Sequence, residues 1–160
     1  MRVKNENYFE KIPQAPEAIS FEIKRRASFN EVDLLGIVWY GRYAIYFEEA
    51  QRELNRRCGL TYEDYFSAGL RAPIVAFHVD YRQPLFLDEE FIVKASLVWS
   101  EGAKINIEYE IIKADGSIAT RGYTIQVLLE AEAKQACLVT PKLIARLRKR
   151  WLNGELKCLK

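Results

Sequence analysis

Hydrophobic and polar residues alternate along most of this chain. From Phe21 to Phe29 the apolar side chains alternate with Glu22 and Lys24, and a period of two residues is typical of a half-buried strand. The same β pattern returns from Ile74 onward. It predicts four further strands, over residues 74–81, 91–99, 105–112 and 117–129.

A period of three and four residues replaces this alternation between Tyr40 and Arg57. Four apolar residues repeat at that spacing: Tyr43, Phe47, Ala50 and Leu54. This spacing predicts one amphipathic helix of about five turns, and Gly59 suits the position just beyond its C-terminus. Thr140 and Pro141 predict a final helix, with Thr140 as its N-cap and Pro141 as its first residue.

One long helix and a run of antiparallel strands predict an α+β architecture. We expect three segments: an N-terminal extension over residues 1–18, a domain over residues 19–135, and a C-terminal helix and tail over residues 136–160. The strands carry apolar residues on both faces, as Ile105 and Ile107 do beside Ile112. A second subunit would cover the face that the helix leaves open, so we expect a homodimer or a homotetramer.

Composition limits the classes of function. With 160 residues, 49% of them hydrophobic and a net charge of +2, the chain is typical of one globular domain and lacks the basic excess of a nucleic-acid partner. We interpret the basic run from Arg146 to Arg150 as the solvated last turns of a helix. No apolar run reaches the roughly 20 residues of a membrane span. Three cysteines without CxxC spacing and the lack of a signal-peptide pattern favour reduced thiols in the cytoplasm.

Most standard catalytic motifs are absent from the sequence. It has no GxSxG elbow, P-loop or GxGxxG fingerprint, and His78 is its only histidine. A His-rich metal site and a marked Ser–His–Asp triad are therefore excluded, and no cofactor is expected. The strand around His78 indicates a hydrogen-bonded core residue. Cys58, near the helix C-terminus where the dipole disfavours a thiolate, is interpreted as a small apolar residue.

Asp33 remains as the candidate for chemistry, three residues before Gly36 and shortly before the long helix. A carboxylate there can be a capping residue of the loop. It can also act on a substrate, because the free N–H groups at the helix start, near Val38 to Tyr40, could hold a thioester carbonyl oxygen. The carboxylate could then attack the carbonyl carbon or activate a water molecule.

The stretch from Phe29 to Tyr40 resembles the active-site segment of the 4-hydroxybenzoyl-CoA thioesterase family. The similarity continues through Tyr43, Tyr46-Phe47-Glu48-Glu49-Ala50 and Cys58-Gly59, and resumes at Pro73-Ile74-Val75, Asp80-Tyr81, Pro84 and Asp88. It implies a hotdog fold, in which a curved antiparallel sheet of about five strands wraps one long helix. It also implies a dimer with active sites at the subunit interface. Asp33 would be the catalytic carboxylate, and the Tyr40 N–H would bind the thioester oxygen.

This resemblance implies an acyl-CoA substrate. The residues expected to contact the substrate are Val38, Trp39, Tyr40, Tyr43 and His78. Where the family has a basic pair after a strand tryptophan, this chain has Ser100 and Glu101, so Lys104 and Arg121 are the candidates for the CoA phosphates. At Glu31 the family often has Asp.

Three alternatives stay open. Glu49 is a rival carboxylate, because some hotdog thioesterases use an acid on the helix; a surface acid is the simpler interpretation. The acyl group could be carried by an acyl carrier protein, which a basic patch around Arg146 to Arg150 would favour. The chain could also be a non-catalytic hotdog module that binds acyl thioesters.

Overall fold

The computed structural model describes residues 7–156. Cys158 and the first six residues of the predicted extension lie outside the described residues. Within residues 7–156, eight strands and three α-helices follow one another: β1 (Ile19–Arg26), α1 (Tyr43–Cys58), α2 (Tyr62–Ser67), β2 (Leu70–Arg71), β3 (Ile74–Tyr81), β4 (Glu90–Val98), β5 (Lys104–Lys113), β6 (Ile118–Val127), β7 (Leu129–Glu130), β8 (Gln135–Ala136) and α3 (Lys142–Leu152).

Five strands form one antiparallel sheet in the order β1-β4-β5-β6-β3, and α1 lies across one face of it. The alternation read from the sequence explains the packing. In β4 every second residue, from Phe91 to Leu97, is buried. The helix contributes Tyr46, whose ring lies 5.1 Å from that of Phe91, and Phe47, which stacks on Tyr109 at 4.4 Å. The predicted α+β architecture, one long helix on a five-stranded sheet with a C-terminal helix, is confirmed.

The ends of the helices differ slightly from the prediction. Residues Tyr40–Arg42 form a 3₁₀ turn, so the α-helix begins at Tyr43 rather than at Tyr40. Gly59 ends it in the left-handed conformation, at φ 74°, as predicted. The final helix begins at Lys142 with Pro141 as its N-cap. The predicted cap at Thr140 is therefore wrong by one residue, because its hydroxyl instead accepts a hydrogen bond from Arg148.

The last predicted strand divides into two. β6 pairs with β5 and β3 up to Val127, whereas β7 belongs to a small three-stranded sheet with β2 and β8. Leu128 lies between them, fully buried, and its N–H donates to the Ala103 carbonyl. The chain therefore leaves the main sheet at a buried residue that periodicity alone does not distinguish from a strand residue.

The N-terminal segment crosses the face of the sheet opposite α1, and we call residues 7–18 the strap. The Tyr8 hydroxyl donates to the Asp80 carboxylate at 2.6 Å, and the Tyr8 N–H donates to Glu108. At the other end of the strap, the Trp151 indole of α3 donates to the Glu17 carbonyl at 2.9 Å. The part of the extension that the structure describes is thus an ordered cover for the outer face.

Gly122 of β6 marks a close contact between the sheet and α1. A Cβ atom there would lie 2.5 Å from the His78 carbonyl oxygen and 2.7 Å from the Phe47 ring. We expect Gly122→Ala to destabilise the fold by about 1–3 kcal/mol, because backbone and a buried ring must move. Chemical denaturation measures this change. Gly41→Ala is the control, since the three atoms nearest to the added methyl all belong to the Trp39 ring, which is 46% exposed and can turn away. Equal losses in the two variants would contradict the argument.

Candidate active site

Residues 31–39 form a small hairpin directly before the 3₁₀ turn that leads into α1, and we call it the Asp33 hairpin. Val32 and Val38 form an antiparallel bridge, and the Trp39 N–H donates to the Glu31 carbonyl at 2.9 Å. Its turn is closed by the Gly36 N–H, which donates to the Asp33 carbonyl, and Gly36 has φ 72°. Such a positive φ favours glycine. The Asp-to-Gly spacing of the sequence therefore encodes this turn.

Glu31 anchors the hairpin to the body of the protein. Its side chain is 9% exposed, and one carboxylate oxygen lies 2.8 Å from the Arg25 guanidinium. The other oxygen accepts hydrogen bonds from the Ser28 N–H at 2.8 Å and from the Tyr46 hydroxyl at 2.9 Å. Burial, and then the bond to Glu31, raise the pKa of Tyr46 well above its usual range. Tyr46 is therefore a neutral donor that fixes the carboxylate.

The Asp33 carboxylate lies at the surface end of the hairpin. One of its oxygens accepts the Leu35 N–H at 2.8 Å, which leaves further acceptor sites on the carboxylate. The neighbouring apolar residues are exposed, including Leu34 at 106% and Leu35 at 78%. Asp33 therefore both stabilises its own turn and remains accessible beside an apolar surface.

The backbone amides that follow are not equivalent. Val38 donates to the Leu85 carbonyl at 2.8 Å, and Trp39 donates to Glu31. These two N–H groups are occupied, so the expectation that the amides from Val38 to Tyr40 are free is corrected at Val38 and Trp39. Within residues 7–156, the Tyr40 N–H has no hydrogen-bond acceptor. As the first residue of the 3₁₀ turn it has no partner within the helix.

The remaining predicted substrate contacts lie in different places. Tyr43 is 3% exposed and packs beneath the site against Tyr46 and Tyr81, and burial raises the pKa of its phenol to about 12. His78 faces the strap, where its ring lies 5.3 Å from Tyr123 and its Nε2 3.2 Å from Asp80. Its side chain is 44% exposed. The core interpretation of His78 is therefore wrong, because β3 is an edge strand and His78 points away from α1.

Lys104 and Arg121, the residues predicted to bind the CoA phosphates, do not form one site within a single chain. Lys104 begins β5, whereas Arg121 pairs with Glu110, six residues further along that strand. At about 3.3 Å per residue their backbones are about 20 Å apart. Arg121 lies beneath the strap, where it pairs with Glu110 at 3.3 Å and lies against the Tyr8 ring. Lys104 is exposed.

Glu49 is held in an ion pair, and Cys58 is buried. Glu49 pairs with Arg25 at 3.2 Å, so Arg25 joins the helix to the anchor residue Glu31. Cys58 is 2% exposed, and burial raises the pKa of its thiol to about 11. The apolar interpretation of Cys58 is confirmed. No three His, Cys, Asp or Glu side chains cluster as metal ligands in the described part of the chain.

A concave surface lies toward the C-terminal end of α1, away from the Asp33 hairpin. A cleft of about 810 Å³ opens between α1, α2 and the start of β3, and we call it the α1–α2 cleft. Its walls include Leu60, Tyr62, Tyr65 and Ile74, and Gln51 and Gln126 contribute amide groups. Arg52 and Arg71 also line it. Sequence reasoning missed this cleft, because it depends on contacts between segments that are distant in the sequence.

Sequence reasoning also missed the role of Glu31. A signal was present, since Ser28 and Glu31 have the spacing of a capping box, in which an acid binds the N–H three residues before it. The bond between the Glu31 carboxylate and the Ser28 N–H is the one that this spacing predicts.

Comparison with known proteins defines the class of protein to which the chain belongs. Residues 27–147 match the family described as the Thioesterase-like superfamily. The chain belongs to this superfamily, and the predicted hotdog fold and the enzyme class of thioester hydrolases are confirmed at this level. The narrower 4-hydroxybenzoyl-CoA group stays a prediction. Among the described residues no helix is long and apolar enough to span a membrane.

Individual relatives agree with this assignment. A protein of Aquifex aeolicus with a provisional esterase name is 33% identical over 99 residues, which cover 62% of this chain and 77% of that protein. The 1,4-dihydroxy-2-naphthoyl-CoA hydrolase of Nostoc punctiforme is 24% identical, covering 72% of this chain and 78% of the relative. The crystal structure of a DHNA-CoA thioesterase from Staphylococcus aureus matches with a TM-score of 0.71 and 23% identity, covering 88% and 97% of the two chains; this likeness shows the fold.

Proposed function

We propose that this protein hydrolyses an acyl-CoA thioester to a free acid and CoA, with Asp33 as the nucleophile or the general base. The observation that carries this proposal is the pairing of one accessible carboxylate with one unoccupied amide, that of Tyr40, at the same end of α1. Relatives named as hydrolases of CoA thioesters support the substrate class.

The chemistry follows from the charge that develops on the carbonyl oxygen. The Tyr40 N–H would donate to this oxygen and stabilise the negative charge, aided by the partial positive charge at the helix start. Asp33 would attack the carbonyl carbon, or it would remove a proton from a water molecule that attacks it. The C–S bond then breaks, and CoA leaves as the thiol after its sulfur takes a proton, from the protonated Asp33 in the water route or from solvent in the direct route. Direct attack also leaves the acyl group on Asp33 as an anhydride, which a water molecule must hydrolyse to release the free acid and restore the carboxylate. No metal is required for these steps.

We further propose that the active unit is a homodimer formed through β3. This strand is one of the two edges of the five-stranded sheet, and its large apolar side chains are half exposed: Ile74 at 52%, Val75 at 58%, Phe77 at 48% and Tyr81 at 51%. A long apolar edge strand left unpaired invites association. Pairing with a second β3 would satisfy its backbone groups and cover these side chains.

Phe77→Lys should therefore produce a monomer with little thioesterase activity. The substitution places a charge at the centre of the edge strand, where pairing would bury it at a high free-energy cost. Light scattering coupled to gel filtration measures the oligomeric state, and thiol release measures activity. Leu138→Lys is the matched control, because Leu138 is 97% exposed and lies outside β3. A Phe77→Lys protein that remains dimeric would contradict pairing through β3.

Thiol release from a panel of aliphatic and aromatic acyl-CoAs tests the proposed activity directly. Turnover of at least one CoA ester is expected.

Turnover only of thioesters carried on an acyl carrier protein would support the second candidate function, that of an acyl-carrier-protein thioesterase. One observation favours that candidate: Lys142, Arg146 and Lys149 are exposed at helical spacing on α3, as a surface for an acidic partner would require. Binding without turnover of either substrate would indicate a non-catalytic module.

A further inference from the structure

The floor of the α1–α2 cleft is built from a chain of hydrogen bonds whose direction is fixed. The Gln126 amide donates through Nε2 to the Ala72 carbonyl at 3.0 Å, so its Oε1 faces Gln51 and accepts from Gln51 Nε2 at 3.0 Å. Gln51 Oε1 then accepts from the Tyr109 hydroxyl at 2.7 Å. The phenol proton is used in that bond, so Thr124 donates to Tyr109.

This fixed direction leaves Gln51 with an unused donor. An amide NH₂ group carries two hydrogens, and Gln51 Nε2 makes one hydrogen bond, to Gln126. Gln51 is 91% buried, given its exposure of 9%, and it lines the cleft. Its Oε1 accepts from the buried Tyr109. The amide therefore cannot rotate to present an oxygen atom to the cleft without losing its hydrogen bonds to Tyr109 and Gln126. The floor of the cleft therefore offers N–H and no carbonyl at this point.

Dimer geometry connects this cleft with the chemistry. In an antiparallel pair of β3 strands related by a two-fold axis, the start of one strand lies beside the end of the other. Tyr81 at the end of β3 donates to the Tyr40 carbonyl at 2.9 Å, so the strand end is tied to the helix start that follows the Asp33 hairpin. Ile74 at the start of β3 lines the cleft. In the proposed dimer, the cleft of one subunit would therefore open toward the Asp33 hairpin of the other.

We propose that Gln51 is a specificity residue whose unused N–H binds an oxygen atom carried by the acyl group, away from the thioester carbon. This inference rests on the proposed function, because it assigns the α1–α2 cleft to the acyl group. The apolar walls formed by Leu60, Tyr65 and Ile74 bind the hydrocarbon part. A hydroxyl or keto oxygen on that part accepts from Gln51. An unsubstituted acyl group leaves the buried donor unpaired, which costs binding free energy.

The test compares substrates that differ by one oxygen atom. The pairs are 4-hydroxybenzoyl-CoA with benzoyl-CoA, and 8-hydroxyoctanoyl-CoA with octanoyl-CoA. We expect the wild-type protein to favour the oxygenated member of at least one pair by about tenfold in kcat/KM, the effect of one hydrogen bond of ordinary strength. In Gln51→Met, which keeps the length of the side chain, this ratio should fall to about one. Gln83→Met, an exposed Gln in a loop, should keep the wild-type ratio.

The ratio of the two kcat/KM values separates substrate recognition by Gln51 from a purely structural role. A general destabilisation of the protein would lower kcat/KM for both members of a pair alike and leave the ratio unchanged. If Gln51→Met does not fold, Gln51→Glu serves, since its carboxylate still accepts from Tyr109 but offers no N–H. A wild-type ratio near one in both pairs, or a ratio retained in the folded variant, would overturn the inference.

Binding separates this inference from the proposed activity. The dissociation constants of the same pairs, measured by calorimetry in the Asp33→Asn background, should show the same ratio. If no CoA ester is hydrolysed, the proposed function fails and the binding ratio alone decides the role of Gln51. If CoA esters are hydrolysed but the two members of each pair have equal dissociation constants, the proposed activity is established and the inference about Gln51 is wrong.

Discussion

Asp33→Asn is expected to lower kcat by about three orders of magnitude while the protein stays folded. The loss follows because an amide is neither a nucleophile nor a base at neutral pH, and such groups contribute roughly 10²- to 10⁴-fold to rates. The fold should persist because the Asn side-chain oxygen can still accept the Leu35 N–H that Asp33 binds. Thiol release under saturating substrate measures kcat, and circular dichroism measures folding.

Glu49→Gln provides the comparison for this result. Glu49 is the rival carboxylate on α1, and its structural partner is Arg25. We expect Glu49→Gln to keep kcat within about fivefold, since a partly exposed ion pair contributes little free energy. If Glu49→Gln loses activity and Asp33→Asn keeps it, the roles of the two acids are reversed, and Asp33 is a turn-stabilising residue only.

Glu31→Ala is expected to cause the largest loss of stability among single side-chain changes at the site. The substitution removes the buried partner of Arg25, Ser28 and Tyr46 at once. Arg25 keeps its ion pair with Glu49, but the Ser28 N–H and the buried Tyr46 hydroxyl lose their acceptor, which costs about 1–3 kcal/mol each. For a chain of this size a loss of about 2–6 kcal/mol corresponds to a Tm decrease of about 4–24 °C. Activity should fall as well, because the Glu31 carboxylate anchors the hairpin that carries Asp33.

The matched control for Glu31 is Glu90→Ala. Glu90 also pairs with an arginine, Arg26, but its side chain is 69% exposed. A surface ion pair contributes about 0–1 kcal/mol, so its Tm should change by no more than a few degrees. Calorimetric unfolding of both variants measures the contrast. Equal and small changes would show that the Glu31 network does not hold the hairpin in place.

The sequence predicted the fold well because burial imposes periods that a single chain displays. The spacing of Tyr43, Phe47 and Leu54 marked the buried face of α1, and alternation marked β4 and β5. The element ends were less predictable. Pro141 became the cap of α3 and Leu128 divided the last strand, since both outcomes depend on contacts with segments far away in the sequence.

The site was only partly predictable for the same reason. The sequence pointed to Asp33 and to the amides near Val38 to Tyr40 because the turn and the helix start are local features, and the family resemblance narrowed the amides to that of Tyr40; the roles of both residues stay predictions. Whether the Val38 amide is free depends on Leu85, which lies 47 residues later and accepts its hydrogen bond. His78 faces the strap rather than the core because of the position of β3 in the sheet. Register across strands likewise separated Lys104 from Arg121.

The strap has a consequence for the evolution of the outer sheet face. The family match spans residues 27–147, so the strap lies outside the shared segment, yet Tyr8 binds Asp80 and lies against Arg121 within it. We therefore expect selection on these positions to be coupled to the strap. Homologues that lack an N-terminal strap are expected to vary together at the positions of Asp80, Arg121 and Tyr123, whereas homologues that keep a tyrosine at position 8 are expected to retain all three.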